Sequence, residues 1–179
     1  MTKKVTCFAA SSSRNSINRK LVTYAAGLIE DADVELLDLN DYELPLFSVD
    51  REAELGQPEL AQAFLDKIRD SDCLVISFAE HNGCYTVAYK NLYDWVSRIQ
   101  PKVYRDKRML LLSTSLGGRG AKSVMELALS QIPRFGGDIR GSVSLPNFED
   151  NFDVERGVVT DAEIDAEIRA ALGRLLADD

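Results

Sequence analysis

Apolar positions along the chain form two kinds of pattern, short continuous runs and longer stretches with a helical repeat. Continuous runs that are rich in β-branched and aromatic residues are typical of strands buried on both faces of a parallel sheet. The stretches between them place apolar residues three or four positions apart, which predicts amphipathic helices. The predicted strands are Val5–Ala10, Val34–Leu39, Cys73–Ala79, Met109–Leu112 and Ile139–Leu145.

A helix is predicted after each strand, and capping residues mark most of the boundaries. The first two helices are expected to begin at Ser16 and at Pro58. The third is expected to span Val87–Ile99 with Thr86 as its N-cap, and the fourth to span Ala121–Phe135 with Gly136 as its C-cap. The fifth is expected to begin at the capping box Thr160–Glu163. Two longer stretches, 40–57 and 146–159, are predicted to be irregular and to serve as walls or partner contacts.

Five strands that alternate with five helices predict an α/β protein in which residues 1–179 form one domain. Right-handed crossovers favour a doubly wound, five-stranded parallel sheet with strand order 2-1-3-4-5 and helices on both faces. Ligands of such sheets bind at the carboxyl edge, above the first and third strands. The loops that follow these strands are therefore the candidate functional segments.

The loop after the first strand, within the stretch 5–20, is rich in hydroxyl groups. A strand that ends in a polar turn and continues as a helix presents unpaired backbone N–H groups and the positive end of the helix dipole, which suits a phosphate. Ser11, Ser13 and Ser16 are spaced as in the flavodoxin-type loop, where three hydroxyls surround the monophosphate of FMN. Neither a dinucleotide fingerprint nor a P-loop occurs in the chain. The alternative interpretation is an ordinary capped helix, because serine is common at helix N-termini.

Two further loops are expected to meet the first at the carboxyl edge. The segment 80–85 can contact the edge of a flat heterocycle through backbone N–H groups and the Asn82 amide, and Gly83 allows a close approach. The segment 113–120 offers backbone amides, hydroxyl groups and Arg119. The alternative is that the Asn-Gly and Gly-Gly pairs only form turns.

Taken together, these motifs resemble those of the NADPH-dependent FMN reductase family, a flavodoxin-like group that includes quinone, azo and chromate reductases. The resemblance rests on the segments 11–18, 81–85, 90–95, 112–120 and 133–136. It implies bound FMN, hydride transfer from NADPH or NADH, and delivery of electrons to a second small molecule such as a quinone, an azo compound or a free flavin. It also implies a homodimer or homotetramer.

The same resemblance implies a set of cofactor contacts. The phosphate contacts would be Ser11, Ser13, Ser16 and Asn18, with Arg14 beside them. The isoalloxazine contacts would be Glu80, His81, Asn82 and Gly83. The contacts along the ring and ribityl chain would be Ser113, Thr114, Ser115, Gly117 and Gly118.

The chain departs from the family pattern mainly in the second loop. The family usually has Pro-Glu-Tyr-Asn-Gly-Ser-Tyr-Pro-Gly where this chain has the residues from Ala79 to Val87, so both prolines are lost and the loop is expected to be less rigid. His81 stands in the place of a tyrosine. We expect His81 to take up a proton when the flavin is reduced, and Arg119 to stabilise negative charge on the reduced ring. These two residues are the catalytic candidates.

Composition narrows the remaining choices. The formal charge of −8 argues against nucleic acid as a partner, and no apolar run approaches the length of a membrane span. The cysteines are three in number and lack metal spacing, which favours a reducing, cytoplasmic location and no metal site. The acidic residues of the segment 149–155 are interpreted as a solvated surface that would repel the phosphate of NADPH.

Two other classes of function remain open from sequence. One is a flavodoxin-like electron carrier, or flavin-binding module, without NAD(P)H turnover. The other is a relative that has lost flavin and acts through protein interaction. Arg14, at a position where flavodoxins usually have glycine, and the Asn-Gly-x-Tyr loop favour the enzyme.

Overall fold

The structure is a computed structural model that describes residues 2–177. Its elements alternate between strands and helices, as the apolar pattern predicts. Among residues 2–177, no helix has both the length and the apolar character needed to cross a membrane. In chain order the elements are β1 Lys3–Ala10, α1 Ile17–Gly27, β2 Ala32–Leu37, α2 Val49–Leu55, α3 Glu59–Asp70, β3 Cys73–Phe78, β4 Glu80–His81, β5 Cys84–Tyr85, α4 Val87–Ile99, β6 Lys107–Thr114, α5 Lys122–Gln131, β7 Gly137–Leu145, α6 Phe148–Asn151, β8 Phe152–Asp153, β9 Val158–Val159 and α7 Ala162–Leu176.

The central sheet has five parallel strands in the order β2-β1-β3-β6-β7, which confirms the predicted flavodoxin-like topology. Helices α3, α4 and α5 cover one face of the sheet, and α1 and α7 cover the other. All six residues of β3 are buried, because a strand between two helical layers has no solvent-facing side. This burial explains the continuous apolar run from which the strand was predicted.

Several boundaries differ from those predicted. The second strand, predicted as Val34–Leu39, ends two residues earlier because the Asp38 side chain accepts a hydrogen bond from Asn40 N and caps the 3₁₀ turn Leu39–Tyr42. The fourth strand was predicted to end at Leu112, but β6 continues through Ser113 and Thr114. Both of these polar residues are buried with their hydroxyl groups hydrogen-bonded, so their polarity does not end the strand.

The two stretches predicted to be irregular contain regular structure. The segment 40–57 holds α2, whose N-terminus is capped by Ser48. The segment 146–159 holds α6 and the antiparallel pair β8–β9. These elements are only two to seven residues long, so no helical or strand period is long enough to be recognised in the sequence.

Two helix ends also differ from the prediction. The final helix is capped by Asp161, whose carboxylate accepts from Glu163 N and Ile164 N, and not by Thr160, whose hydroxyl donates to Asp150 O. The predicted helix Ala121–Phe135 is α5 followed by a 3₁₀ turn, Ile132–Phe135, that contains a proline. Gly136 ends this segment with φ at +79°, which is the expected C-cap conformation.

A cluster of tyrosines joins α4 to the loop before β6. The hydroxyl groups of Tyr89 and Tyr104 form a hydrogen bond with each other, and both side chains are buried. Burial raises the pKa of both hydroxyl groups above their ordinary value, so both stay protonated at neutral pH. The neighbouring Tyr93 hydroxyl is buried and has no hydrogen-bond partner among the described residues. Two of the three hydroxyl groups are therefore satisfied by each other, and the third is buried without a partner within residues 2–177.

We expect Tyr104→Phe to lower the free energy of unfolding by about 1–3 kcal/mol, because it leaves the buried Tyr89 hydroxyl without a partner. The double variant Tyr89→Phe/Tyr104→Phe should recover part of this loss, since neither polar group then remains. The control Tyr93→Phe should be neutral or stabilising, because it removes a hydroxyl that is already unsatisfied. Urea unfolding of the four proteins measures these differences. A Tyr93→Phe variant that is destabilised as much as Tyr104→Phe would contradict this account.

Candidate functional site

The serine loop, residues 11–16, connects β1 to α1 at the carboxyl edge of the sheet. Ser16 caps α1 by accepting a hydrogen bond from Arg19 N at 3.3 Å, and Ser16 N donates to Ser13 O at 3.1 Å. Ser13 N donates to Ser11 Oγ at 3.2 Å. Ser11 and Ser16 are buried, whereas Ser13 and Arg14 are exposed. The loop is therefore folded back on itself, as a ligand-binding turn at a helix N-terminus must be.

Several donors of this loop point to no protein acceptor. Within residues 2–177, the backbone N–H groups of Ser12, Arg14, Asn15 and Ile17 donate to no other residue, and the Ser13 hydroxyl makes no hydrogen bond. Donors at a helix N-terminus that lack protein partners are available to an anion, which the helix dipole also favours. The residue types and geometry fit a terminal monophosphate such as that of FMN.

Asn18 fastens α1 to the ends of two central strands. Its side-chain Oδ1 accepts from Ser77 Oγ at 2.8 Å and from Thr114 N at 3.0 Å, and its Nδ2 donates to Thr114 O at 3.1 Å. Asn18 is 2% exposed. Because its amide already satisfies Thr114 and Ser77, the structure gives Asn18 a positioning role. A direct contact with the phosphate remains a prediction for this residue.

The second loop is a small hairpin, β4–β5, turned by Asn82 and Gly83. Their φ angles of +54° and +75° are those of the two-residue turns that suit a twisted hairpin, and asparagine followed by glycine is the preferred pair. His81 and Cys84 are paired across the hairpin, and all four residues from His81 to Cys84 are exposed. The hairpin thus projects the Asn-Gly turn beyond the edge of the sheet.

Both ends of this hairpin are anchored by side chains. Glu80 Oε2 accepts from Val124 N at 2.9 Å, and so caps the first turn of α5, where Ala121 offers no side-chain acceptor. Thr86 Oγ1 donates to Ala10 O at 2.9 Å and also caps α4. The Glu80 carboxylate is thus engaged by the fold, so any ring contact from this residue is expected through its backbone. Its capping role was not predicted from the sequence.

The third loop, 115–120, has its polar side chains largely satisfied inside the protein. Ser113 Oγ donates to Gly120 O at 2.7 Å, and Thr114 Oγ1 donates to Leu145 O at 2.7 Å. Ser115 Oγ donates to Gly117 O at 3.2 Å and accepts from Ala121 N at 3.1 Å. The predicted contacts at Ser113 and Thr114 therefore lie in the strand end beneath the site.

What the third loop offers a ligand is its backbone. Among the described residues, the N–H groups of Leu116, Gly117 and Gly118 have no acceptor, and all three residues are exposed. Gly120 is required for a different reason, because its φ is +57° and an added Cβ would lie 3.0 Å from the backbone of Leu145 and Pro146. Arg119 is exposed and donates to Ser123 Oγ at 3.2 Å.

The three loops are tied together by the contacts described above. Asn18 joins the first loop to the third, Thr86 joins the second to the end of β1, and Glu80 joins the second to α5 directly after the third. The turn also comes close to α5, since a Cβ on Gly83 would lie 4.0 Å from Ser123 Cβ. The predicted convergence of the three loops at one edge is therefore present in the fold.

The segment 39–47 lies beside the three loops as a side wall. The contacts that hold this segment in place were not predicted from the sequence. The Asn91 amide donates to Leu44 O and Pro45 O at 3.0 and 3.1 Å and accepts from Phe47 N at 2.8 Å. Trp95 Nε1 also donates to Pro45 O. A cleft of about 380 Å³ lies between this wall, Ser12 and the start of α4. The signal in the sequence was the pair Asn91 and Trp95, four residues apart on one helix face.

The cysteines differ in their exposure and belong to no cluster of metal-ligating side chains among the described residues. Residues 2–177 contain no group of three or more histidine, cysteine and acidic side chains that could hold a metal ion. Cys7 and Cys73 are buried, and burial raises the pKa of the Cys7 thiol to about 12, so it stays protonated. Cys84 is the exposed thiol, beside the Asn-Gly turn.

Comparison with known proteins agrees with this arrangement. The family model described as NADPH-dependent FMN reductase matches residues 3–149. A NAD(P)H:quinone oxidoreductase of Solanum tuberosum is 32% identical over 97% of this chain and 91% of its own length. A 2-hydroxy-1,4-benzoquinone reductase of a Burkholderia species is 33% identical over 67% of this chain and 64% of its own.

Solved structures show the same fold. A flavoenzyme NAD(P)H:(acceptor) oxidoreductase of Paracoccus denitrificans superimposes with a TM-score of 0.76 at 24% identity, over 97% of this chain and 96% of that one. An FMN-dependent NADH-azoreductase of Bacillus anthracis, solved in complex with FMN, gives a TM-score of 0.67 at 14% identity, over 96% and 99% of the two chains. With the family match covering most of its length, this chain belongs to the NADPH-dependent FMN reductase family.

Proposed function

We propose that this protein is an FMN-dependent enzyme that passes electrons from NADPH or NADH to a quinone, an azo compound, a free flavin or a similar small acceptor. The observation that carries the proposal is the convergence of three loops at the carboxyl edge, with unpaired backbone donors in the serine loop and in the third loop. A flat cofactor with a terminal monophosphate fits this distribution of donors. Membership of the NADPH-dependent FMN reductase family supports the same cofactor and donor.

The class of acceptor is inferred from relatives. The proteins from Solanum tuberosum and the Burkholderia species are named for the reduction of quinones, and two structural neighbours from Bacillus anthracis are named azoreductases. Such acceptors are flat and can stack on a flavin ring. The cleft beside Ser12 has walls of mixed character, in which Tyr42, Leu46 and Val87 offer apolar contact beside the polar residues Asn40, Glu43 and Asn91.

Each loop has a proposed part in holding FMN. Ser11, Ser13, Ser16 and the free N–H groups around Arg14 bind the phosphate, while Asn18 holds the loop against β3 and β6. Asn82 and Gly83 contact one edge of the ring. The backbone of Gly117 and Gly118, with Ser115, contacts the ribityl chain and the other edge. When bound, FMN supplies the hydride and electron chemistry, and the protein supplies orientation and electrostatics.

His81 and Arg119 are the proposed electrostatic partners of the ring. His81 lies on the exposed hairpin next to Asn82, so a proton held on its imidazole would stabilise negative charge at that edge of the site. The guanidinium of Arg119 donates to Ser123 Oγ in the first turn of α5, the residue that the turn at Gly83 approaches. Neither group is buried, so both can change position when ligands bind.

The proposed context is a homo-oligomer in the cytoplasm. Large apolar side chains around the site are exposed, namely Leu46, Val87 and Leu116 at 65%, 67% and 63%, which is typical of surfaces that pack against a second subunit. Three cysteines without a disulfide suit a reducing compartment. A net charge of −8 argues against nucleic acid as a partner.

The first prediction concerns the phosphate. FMN should bind far more tightly than riboflavin, because hydrogen bonds to a charged group contribute about 1.5–3 kcal/mol each. Flavin fluorescence quenching measures both affinities. Equal affinity for the two flavins would exclude the serine loop as a monophosphate site.

Ser13→Ala sharpens this test, since the Ser13 hydroxyl makes no hydrogen bond within the described part of the chain and its loss should leave stability unchanged. We expect FMN affinity to fall about 10- to 150-fold on the same arithmetic. Ser12→Ala is the matched control, because it removes an exposed hydroxyl from the same loop outside the proposed phosphate set. Ser16→Ala should weaken FMN by a similar factor but should also destabilise α1, because Ser16 is its N-cap.

The second prediction concerns the reaction class. With FMN bound, NADPH or NADH should bleach the flavin absorbance without oxygen, and a quinone or azo dye should restore it. Because one site serves both substrates in turn, double-reciprocal plots at several acceptor concentrations should be parallel. If neither nucleotide bleaches the flavin, the electron-carrier function replaces the enzymatic one.

The third prediction concerns His81. Negative charge on the reduced ring favours a protonated imidazole beside it, so the rate of anaerobic flavin reduction in the native protein should change with pH around neutrality. His81→Phe should flatten this dependence while FMN remains bound. Cys84→Ser, which removes the neighbouring thiol but keeps the histidine, is the control and should retain the native profile. Superimposable profiles for the native protein and His81→Phe would show that the imidazole has no electrostatic role.

A further inference from the structure

A groove on the protein surface lies outside the three loops, along the outer face of α1. It measures about 500 Å³, which is in the range of small-molecule sites. One wall is α1 itself, from Ser16 to Leu28, and the other is the β8–β9 hairpin with Phe152, Val154 and Val158. We call it the α1 groove. It opens at Arg14, in the serine loop that receives the phosphate of FMN in the proposed function.

The charges of the α1 groove are of one sign. Arg14, Arg19 and Lys20 line it, and no carboxylate does, although the protein carries a net charge of −8. Arg19 is in an ion pair with Asp38. Within residues 2–177, Arg14 and Lys20 have no ion-pair partner. Two unpaired cations in an otherwise acidic protein favour an anionic ligand.

The acidic residues of the segment 149–155, expected from the sequence to repel NADPH, are not part of the groove lining. Phe152 and Val154 line it, whereas Asp153 and Glu155 do not. Asp153 Oδ1 instead accepts from Arg156 N and orders the hairpin turn. The wall that this segment gives the groove is therefore apolar.

The rest of the groove lining is apolar and aromatic. Phe152 packs edge-on against Tyr24 with ring centroids 6.3 Å apart, and the Tyr24 hydroxyl is tied to Asp165 of α7. Leu28 and Val158 complete this part of the wall. Gly27 leaves the lower end open, since no atom lies within 4 Å of where its Cβ would stand. A ligand with one planar apolar part and one doubly charged part matches this division.

We propose that the α1 groove binds the adenosine 2′-phosphate end of NADPH, with Lys20 and Arg14 on the 2′-phosphate and the adenine against Val154 and Val158. This rests on the proposed function. If a dinucleotide placed its nicotinamide at the ring and ran alongside FMN, its adenosine end would pass the serine loop, where Arg14 and Ser16 line the opening of the groove. Basic side chains near the ribose are the usual means of accepting a 2′-phosphate. Lys20 lies one turn below Ser16, about 6 Å along the helix axis, and its side chain can reach up to the opening.

Lys20→Gln tests whether the charge of Lys20 contributes to binding of the 2′-phosphate. It should lower kcat/KM for NADPH about 10-fold and leave kcat/KM for NADH unchanged, because only NADPH carries the 2′-phosphate. Lys102→Gln is the charge-matched control, since Lys102 is exposed in the loop before β6 at the opposite edge of the sheet. The assignment would be overturned if Lys20→Gln kept the native ratio of kcat/KM for NADPH to kcat/KM for NADH. It would also be overturned if Lys102→Gln lost as much kcat/KM for NADPH as Lys20→Gln.

A binding measurement separates this inference from the reaction. Calorimetry with the FMN-loaded protein should show adenosine 2′,5′-bisphosphate binding at least about 10-fold more tightly than 5′-AMP, and Lys20→Gln should remove most of that difference. Gly27→Leu, which places a side chain in the groove, should weaken both ligands. Equal binding of the two ligands, or no effect of Gly27→Leu, would overturn the site. If neither nicotinamide nucleotide reduces the flavin, the proposed function fails, and the bisphosphate titration still decides whether the groove binds this group.

Discussion

The side-chain amide of Asn18 is the interaction on which the arrangement of the site depends. It satisfies both the N–H and the C=O of Thr114 and accepts from Ser77, so one buried group connects α1 to β6 and β3. The ends of parallel strands leave backbone groups unpaired, and burying them unpaired would cost free energy. Asn18 removes that cost and, in doing so, fixes the N-terminus of α1 over the centre of the sheet. The serine loop and the third loop keep their relative position for this reason.

Satisfaction of polar groups also explains which residues remain free for a ligand. The hydroxyls of Ser113, Thr114 and Thr86 donate to backbone carbonyls, and the Glu80 carboxylate caps α5. These side chains hold the loops in shape. In these loops, the groups without partners among residues 2–177 are mostly backbone N–H groups of the serine loop and around Gly117. The fold thus sets a frame of buried, hydrogen-bonded hydroxyls beneath main-chain donors at the carboxyl edge of the sheet.

The sequence predicted the fold well because its strongest signals come from burial. Strands such as Cys73–Phe78 are apolar throughout since both faces are covered, and caps such as Ser16 and Thr86 mark where backbone donors need an acceptor. Short elements escaped prediction, because α2, α6 and the β8–β9 pair have too few residues for a period. The position of the three loops was predictable from topology. The hydrogen bonds of Asn18, Glu80 and Asn91 to distant backbone groups were not predictable. The sequence does not show whether a polar side chain contacts a ligand or another part of the protein.

The β4–β5 hairpin shows how a local departure from the family pattern is compensated by tertiary contacts. Both prolines that the family usually has here are absent, and a loop without them has more conformations to lose on folding. In this chain Glu80, the first residue of the hairpin, accepts a hydrogen bond from Val124 N. Thr86, the residue that follows the hairpin, donates to Ala10 O. Tyr85 is buried against Phe78 and Tyr89 between these anchors. Within the hairpin, the side chains that depart from the family pattern, His81 and Cys84, are exposed on either side of the retained Asn-Gly turn, so these departures change the surface of the hairpin and not its anchors.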